Sequence, residues 1–204
     1  MKVTKAQAEA NRAHIVETAS QLFRERGYDG VGVADLMAAA GFTHGGFYKH
    51  FGSKTDLIAE STACGMAQTA ALTGDGADPA EFVRQYLSRE HRDSRATGCT
   101  MAALGGDAAR QPDSVRAAFA TGIESLIAAL SRGGDTAPAT DASQTRSRIV
   151  DLLSHAVGAL VMSRACPDDS PLAGELLEVC RDALLGSLAA PQAEARPSPN
   201  SHPD

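Results

Sequence analysis

The stretch Val33–Asp56, VADLMAAAGFTHGGFYKHFGSKTD, predicts two short helices separated by a tight turn. Its first half places Val33, Leu36 and Met37 at helical spacing, which gives one apolar face over about two turns. Gly41 ends this helix, because glycine adopts the left-handed conformation after a helix terminus without steric cost. The stretch therefore begins with a short amphipathic helix that stops abruptly.

The second half of the stretch predicts a helix over His44–Phe51, with the Thr43 hydroxyl capping its first turn. Phe47 and Phe51 are four residues apart and are expected to pack inward, whereas most of their neighbours face outward. Ser53 then caps a third helix. A helix, a glycine-containing turn and a second helix form the helix-turn-helix signature, whose second helix enters the major groove of DNA.

Residues 41–54, GFTHGGFYKHFGSK, resemble the DNA-binding core of TetR-family transcriptional repressors. The family pattern is a small-residue turn, Ser or Thr, a Gly, an aromatic residue or Leu followed by Tyr, then His-Phe and a Ser-Lys pair. The chain matches nearly all of this pattern, in order and without a gap. It departs from the family at Val31 and Gly32, where a Thr or Ser pair is common, so one hydroxyl contact to phosphate is missing.

The resemblance implies an all-α protein, with an N-terminal three-helix helix-turn-helix DNA-binding domain and a C-terminal helical domain for ligand binding and dimerisation. We place these domains at residues 1–53 and 54–190, and we expect a disordered Pro/Ala/Ser-rich tail at 191–204. The implied function is a homodimeric repressor of a double-stranded DNA operator, released by a small molecule or by thiol modification. A helix-turn-helix activator, or a DNA-binding protein without an inducer, is the alternative.

The DNA contacts are assigned to the outward face and the two ends of the second helix. Gly45 lets the backbone approach DNA closely, and Lys54 lies at a helix N-terminus that is suited to phosphate. The family pattern implies phosphate contacts for Tyr48 and Lys54, and a base or backbone contact for His44. Phe47 is either a thymine-methyl contact or a core residue. The predicted DNA-binding residues are Thr43, His44, Gly45, Phe47, Tyr48, Lys49 and Lys54.

The rest of the chain shows helical periodicity and no alternating strand pattern. Residues 1–7 are expected to be a mobile arm, residues 91–98 irregular and residues 133–142 a loop. The last two long helices are broadly apolar, so we expect them to form a homodimer interface with their symmetry mates, the alternative being the monomer core. The predicted helices are 8–26, 54–73, 80–89, 101–110, 112–131, 144–166 and 172–188.

Charge is distributed unevenly along the chain, whose net charge is −6. Residues 1–56 hold seven basic and six acidic side chains, and they include all four lysines of the chain. Residues 57–204 are net −7. A near-neutral head on an acidic body fits a DNA-binding module attached to a domain that does not bind DNA, with few phosphates neutralised per subunit.

Cys99 is the candidate for a thiol sensor. It follows Gly98, precedes a predicted helix and has His91 and Arg95 nearby in sequence, a setting that would lower the pKa of its thiol. The segment resembles a branch of the TetR family in which some members sense electrophiles or oxidants through cysteine. The alternative is a small buried packing residue, which free cysteine usually is.

A ligand pocket is expected inside the body, with apolar walls and a few polar groups. Most of its candidate residues are equally suited to the core. The predicted lining residues are Met66, Phe82, Tyr86, Met101, Phe119, Ile123, His155 and Met162.

Enzyme signatures are missing from the sequence: it contains no metal-ligand spacing, nucleophile elbow, P-loop or Rossmann glycine pattern. We therefore predict no enzyme activity, no cofactor and no metal site. The four cysteines have no CxxC spacing, so free thiols are expected. No apolar run has membrane-spanning length and no secretory signal pattern occurs, so we expect a cytoplasmic protein without a membrane partner.

Overall fold

A computed structural model describes residues 4–73, 77–133 and 142–190. All regular structure among these residues is helical, which confirms the predicted all-α class. The predicted tail at 191–204, most of the 133–142 loop and Lys2 lie outside the described residues. The helices are α1 (Lys5–Arg26), α2 (Val33–Ala39), a 3-10 helix (His44–Lys49), α3 (Lys54–Thr73), α4 (Pro79–Tyr86), α5 (Arg89–Asp93), α6 (Thr100–Ala108), α7 (Asp113–Gly133), α8 (Ala142–Ala165) and α9 (Pro171–Ala189).

Helix α1 begins three residues earlier than predicted. The Thr4 hydroxyl accepts a hydrogen bond from the Gln7 backbone N–H at 3.2 Å, so it caps the first turn. Lys5 is therefore the first helical residue, not part of a mobile arm, and its ammonium lies 3.9 Å from the Glu9 carboxylate. At the other end, the helix stops at Gly27 in the left-handed region, with φ +74°.

The turn after α2 has the predicted geometry. Gly41 adopts φ +79°, its N–H donates to the Ala38 carbonyl at 3.0 Å, and the Phe42 N–H donates to the Met37 carbonyl at 2.8 Å. These two bonds define a Schellman motif, which satisfies the free carbonyl groups at a helix end. The motif redirects the chain into the second helix of the helix-turn-helix.

The second helix of the motif differs from the prediction in type and length. It is a 3-10 helix over His44–Lys49, and the Thr43 hydroxyl does not cap it. The Gly46 N–H donates to the Thr43 carbonyl at 2.9 Å instead. Two consecutive glycines in the first turn disfavour the α-helix, and 3-10 geometry is common in such short segments.

The body is built on α3, which begins where it was predicted, with the Ser53 hydroxyl accepting from the Asp56 N–H at 3.1 Å. Helix α3 packs mainly on α7 and α1, and α8 packs on α9. Met66 of α3 lies against Gly122 of α7, where even a Cβ would be only 2.5 Å from the Met66 Cβ. One continuous buried cluster joins head and body, so the boundary at residue 53 stays a prediction.

The segment at 91–98 was predicted to be irregular, and for its first part this is wrong. Residues 89–93 form helix α5, and the Ser88 hydroxyl caps it by accepting from the His91 N–H at 3.1 Å. Arg92 is fully buried here, with its guanidinium 2.7 Å from Asp93 and 2.8 Å from Asp168. The contact with Asp168, which is distant in sequence, helps to hold this polar segment in a helix.

Candidate DNA-binding surface and ligand cavity

The outward face of the 3-10 helix is polar and open to solvent. Five of the seven predicted DNA-contact residues lie there, and we call them the recognition surface: Thr43, His44, Gly45, Tyr48 and Lys49. Tyr48 is 70% exposed, and its ring meets the Phe47 ring edge-on at 5.2 Å. A Cβ added at Gly45 would meet nothing within 4 Å, so this backbone is accessible to a close partner.

Phe47 belongs to the core, not to the recognition surface. It is 1% exposed and stacks on Phe51 with the ring centroids 5.5 Å apart. The side chain is therefore out of reach of a thymine methyl group, and the predicted contact is wrong. Its burial fixes the rotation of the 3-10 helix, which turns Tyr48 outward.

Lys54 is at the N-terminus of α3 as predicted, but its side chain has a structural partner. The ammonium donates to the Tyr28 carbonyl at 2.7 Å and lies 6.0 Å from the Phe23 ring centroid. It is half-buried. The bond to Tyr28 connects the start of α3 to the segment after α1. An ammonium has three donors, so Lys54 keeps donors for a phosphate.

A cavity of about 890 Å³ lies between α4, α5 and the start of α6. Phe82, Tyr86, His91 and Cys99 form its inner wall, and the Phe82 and Tyr86 ring centroids are 5.0 Å apart. Its other lining residues are Thr69, Ala77, Asp78, Glu81, Arg84, Gln85, Ser88, Glu90 and Ser94. The volume is in the range of small-molecule sites.

The other predicted pocket residues are scattered. Met101, Phe119 and Ile123 line a smaller hollow of about 340 Å³ between α6, α7 and α8, and Met66 is packed in the core. His155 and Met162 are exposed, Met162 by 51%, so their placement in a pocket is wrong. Both lie on the outer face of α8, which a helical period alone does not distinguish from an inner face.

Cys99 caps α6, but its environment opposes the predicted reactivity. The residue is 2% exposed, and burial raises the pKa of its thiol, although the nearby Tyr86 hydroxyl and the backbone N–H groups at the start of α6 act in the other direction. The prediction of a lowered pKa is therefore wrong, because desolvation outweighs the helix terminus and the nearby Arg164 charge.

His91 connects Tyr86 to Cys99. Its Nε2 accepts from the Cys99 backbone N–H at 3.1 Å, so its Nδ1 carries the proton and donates to the Tyr86 carbonyl at 2.7 Å. Burial lowers the pKa of the imidazole below its usual 6.5. A neutral His91 thus holds the start of α6 against the end of α4.

Residues 15–60 match the family described as bacterial regulatory proteins, tetR family. They form a TetR-family N-terminal domain. Over 43 residues the chain is 54% identical to the transcriptional repressor DhaR of Mycobacterium sp. (strain GP1). This match covers 21% of this chain and 22% of the relative. Over 90 residues it is 40% identical to the regulator TtgR of Pseudomonas putida, covering 41% of this chain and 42% of the relative. The chain thus matches less than half the length of these relatives.

The whole fold is also shared with a solved structure. The reduced form of NemR from Escherichia coli superposes with a TM-score of 0.64 at 20% identity, covering 86% of this chain and 95% of that chain. Identity at this level shows a shared fold. The prediction of a helix-turn-helix domain followed by a helical body is confirmed.

Arg24 joins the TetR-family domain to the body, and sequence reasoning missed it. It is buried, and its guanidinium donates to the Ala96 carbonyl at 2.6 Å, to Thr100 at 3.3 Å and to Gln68 at 3.2 Å. It has no carboxylate partner among the residues that the structure describes. Since Ala96 and Thr100 flank Cys99, Arg24 ties α1 directly to the inner wall of the cavity.

Metal-binding clusters and membrane-spanning helices are both missing from the part of the chain that the structure describes. No group of three or more His, Cys, Asp or Glu side chains is placed to hold a metal ion there. No helix in these segments is both long and apolar enough to cross a membrane.

Proposed function

We propose that the chain is a homodimeric transcriptional repressor that binds operator DNA through its recognition surface. The observation that carries this proposal is the exposed Thr43–Lys49 face on a TetR-family domain. A 3-10 helix of six residues reaches few base pairs, so specificity requires a second copy on the adjacent turn of the groove. Such a regulator acts in the cytoplasm and needs neither enzyme activity nor a cofactor.

Dimerisation through α8 and α9 is supported by apolar side chains that these helices leave exposed. Val161 on α8 and Val179 on α9, the latter 61% exposed, are the clearest cases. Cβ atoms added at Gly158 and Gly174 would meet nothing within 4 Å, so a partner helix can approach closely. Apolar surface of this kind on the last two helices fits a four-helix interface between copies.

Release from DNA is assigned to a small molecule in the 890 Å³ cavity. Its inner wall contacts Arg24 through the residues on both sides of Cys99, so a ligand that moves α6 also moves α1. An inducer shifts the equilibrium only if it prefers the state that does not bind DNA. The Arg24 contacts beside the cavity support a direct coupling between ligand and DNA binding.

Selection of binding sites from random duplex DNA tests the DNA-binding proposal with the full chain. We expect enrichment of a two-fold symmetric site with half-sites about one helical turn apart. Failure to enrich any sequence would contradict the proposal. Placing the selected site in a reporter promoter then separates the two directions of regulation, since a repressor lowers reporter output and an activator raises it.

Dimerisation is tested by light scattering on the double variant Val161→Glu with Val179→Glu. The expected result is a monomer with unchanged helical content, because two carboxylates per chain cannot be buried at the interface without partners. Ala128→Glu, at an exposed position on α7, is the matched control and should stay dimeric. A double variant of unchanged mass would place the interface elsewhere.

Thiol modification of Cys99 is the second proposed route of release. In the test reaction with N-ethylmaleimide, the sulfur bonds to one alkene carbon and the other carbon takes up a proton. The position of Cys99 on the cavity wall favours access of the reagent, whereas the raised pKa of its thiol lowers its reactivity. DNA binding is followed before and after labelling in wild type and in Cys99→Ser. Equal release in both proteins would exclude Cys99 as the sensor.

A further inference from the structure

Tyr86 lines the cavity, and its hydroxyl group is buried without a hydrogen-bond partner among the described residues. A buried hydroxyl that leaves water without gaining a partner destabilises the folded state. Burial also raises the pKa of this phenol well above its ordinary value, so it stays neutral and keeps its proton. The cavity wall therefore contains a buried O–H donor without a good acceptor.

The neighbours of Tyr86 cannot take this hydrogen bond well. Both ring nitrogens of His91 are engaged, one with the Tyr86 carbonyl and the other with the Cys99 N–H. The Cys99 thiol lies beside the phenol, and sulfur is a weak acceptor. A polar atom from outside the chain is the remaining way to satisfy the hydroxyl.

Arg164 indicates which kind of ligand atom suits the Tyr86 hydroxyl. It lies close enough to Tyr86 and Cys99 to interact electrostatically with both, and its Nη1 is a second buried donor without a partner. Its other nitrogens donate to the carbonyls of Arg92 and His91 at 2.9 Å. An unsatisfied O–H donor with a positive charge close by favours an oxygen acceptor with partial negative charge.

The outer part of the cavity argues against a ligand with a full negative charge. Asp78, Glu81 and Glu90 line it, and the single lining arginine, Arg84, is already paired with Glu81 at 3.3 Å. A carboxylate rim repels anions as they enter. The stacked rings of Phe82 and Tyr86 offer an aromatic surface to the body of the ligand.

We propose that the cavity binds an uncharged aromatic molecule whose carbonyl-type oxygen accepts the Tyr86 hydroxyl proton in a hydrogen bond. This inference rests on the proposed function only in calling that molecule the inducer. The bonding itself is independent of DNA. The ligand contacts Phe82 and Tyr86 with its ring and places its oxygen at the buried end, toward Cys99.

Three matched probes test the assignment: benzophenone, diphenylmethane, which has the same rings without an acceptor, and 4-benzoylbenzoate, which adds a carboxylate. Affinities are measured by ligand-observed NMR on the full chain without DNA. We expect benzophenone to bind about tenfold more tightly than either other probe, since a tenfold change in affinity corresponds to about 1.4 kcal/mol, which is in the range of one hydrogen bond to a buried group.

Tyr86→Phe should lower the benzophenone affinity by about tenfold and remove the preference over diphenylmethane. The variant should melt at the wild-type temperature or higher, because it deletes only an unpaired oxygen. Tyr28→Phe is the matched control: that hydroxyl is bonded to Thr62 at 2.7 Å, so its loss should lower the melting temperature and leave benzophenone binding unchanged.

Four results would each overturn the assignment. They are equal binding of benzophenone and diphenylmethane, tighter binding of 4-benzoylbenzoate, equal benzophenone affinity in wild type and Tyr86→Phe, and no benzophenone binding up to its solubility limit. Because no DNA is present, these results are separate from the site-selection experiment. A chain that selects an operator but fails here is still a repressor, with a ligand of another class.

Discussion

The recognition surface and the cavity differ in how their functional groups are assembled. Thr43–Lys49 is one segment of seven residues, and its polar groups face solvent. The cavity wall draws Phe82 and Tyr86 from α4, His91 from α5 and Cys99 from the start of α6, and most of these groups are buried. The recognition surface exposes side chains from one continuous segment, whereas the cavity encloses side chains from three helices.

This difference predicts which property a substitution in each region should change. Side chains on the recognition surface make few contacts within the protein, so changing them should alter DNA affinity at constant stability. Side chains around the cavity are held by internal hydrogen bonds, so changing them should alter stability or ligand response before DNA affinity. The predictions below test this separation, starting with the largest expected effect.

Tyr48→Ala should weaken operator binding by about 100-fold, because a dimer loses two contacts of about 1–1.5 kcal/mol each. The unfolding temperature should not change, since the side chain is largely exposed. Fluorescence anisotropy with the selected site and circular dichroism melting measure the two quantities. A variant that binds DNA as wild type does would show that the recognition surface is misplaced. A variant that melts early would show that the surface also supports the fold.

Arg24→Met tests the connection between the two regions. The variant should lose about 2 kcal/mol in the free energy of unfolding, since several acceptors lose a charged donor while an apolar side chain fills the space. Hydrogen exchange should increase in the second half of α1 and at the start of α6, with a smaller loss of DNA affinity than Tyr48→Ala causes. Arg26→Met, exposed two residues further on, is the control. Unchanged exchange in α1 would show that Arg24 does not couple the regions.

The helix-turn-helix could be predicted from sequence because its determinants are local. Gly41 ends a helix through its own backbone conformation, and Phe47 and Phe51 were paired by their spacing. The 3-10 geometry was missed because helical spacing over six residues does not separate the two helix types. The family pattern supplied the functional meaning of the outward residues.

The cavity could be predicted only in part, because its properties depend on tertiary packing. Phe82 and Tyr86 were named from apolar periodicity, and both line it. The pKa direction at Cys99 was wrong, since neighbours in sequence suggested positive charge while the fold supplies burial. Arg24 has partners 44, 72 and 76 residues away, and no local pattern indicates them.

Gly41 and Gly45, four residues apart, allow the effects on stability and on DNA binding to be compared within the helix-turn-helix itself. Gly41→Ala should lower the free energy of unfolding by about 1–2 kcal/mol, because alanine is strained at φ +79°. Gly45→Ala should leave stability unchanged or slightly raised, since its backbone is not left-handed and its surroundings are open. Gly45→Ala should nevertheless weaken operator binding, as a methyl group separates backbone and DNA. The reverse assignment of the two effects would contradict the geometry of the turn.

The smallest expected effect is a pH dependence of stability that arises in the cavity region and not at the recognition surface. Since burial lowers the pKa of His91 below 6.5 in the folded chain, the unfolded chain binds its proton first as pH falls. The stabilisation is complete above about pH 6.5 and decreases below it.

Protonated His91 would also turn a second donor toward the Cys99 N–H and place a charge near Arg164, while the Tyr86 ring lies 4.7 Å away. The melting temperature of wild type should therefore fall by a few degrees between pH 7.5 and 5.5. His91→Gln should show a flatter profile, and His14→Gln, at an exposed position on α1, should keep the wild-type slope. If His14→Gln flattens the profile instead, the pH-sensitive contact belongs to the head, and the separation between the two regions fails at this point.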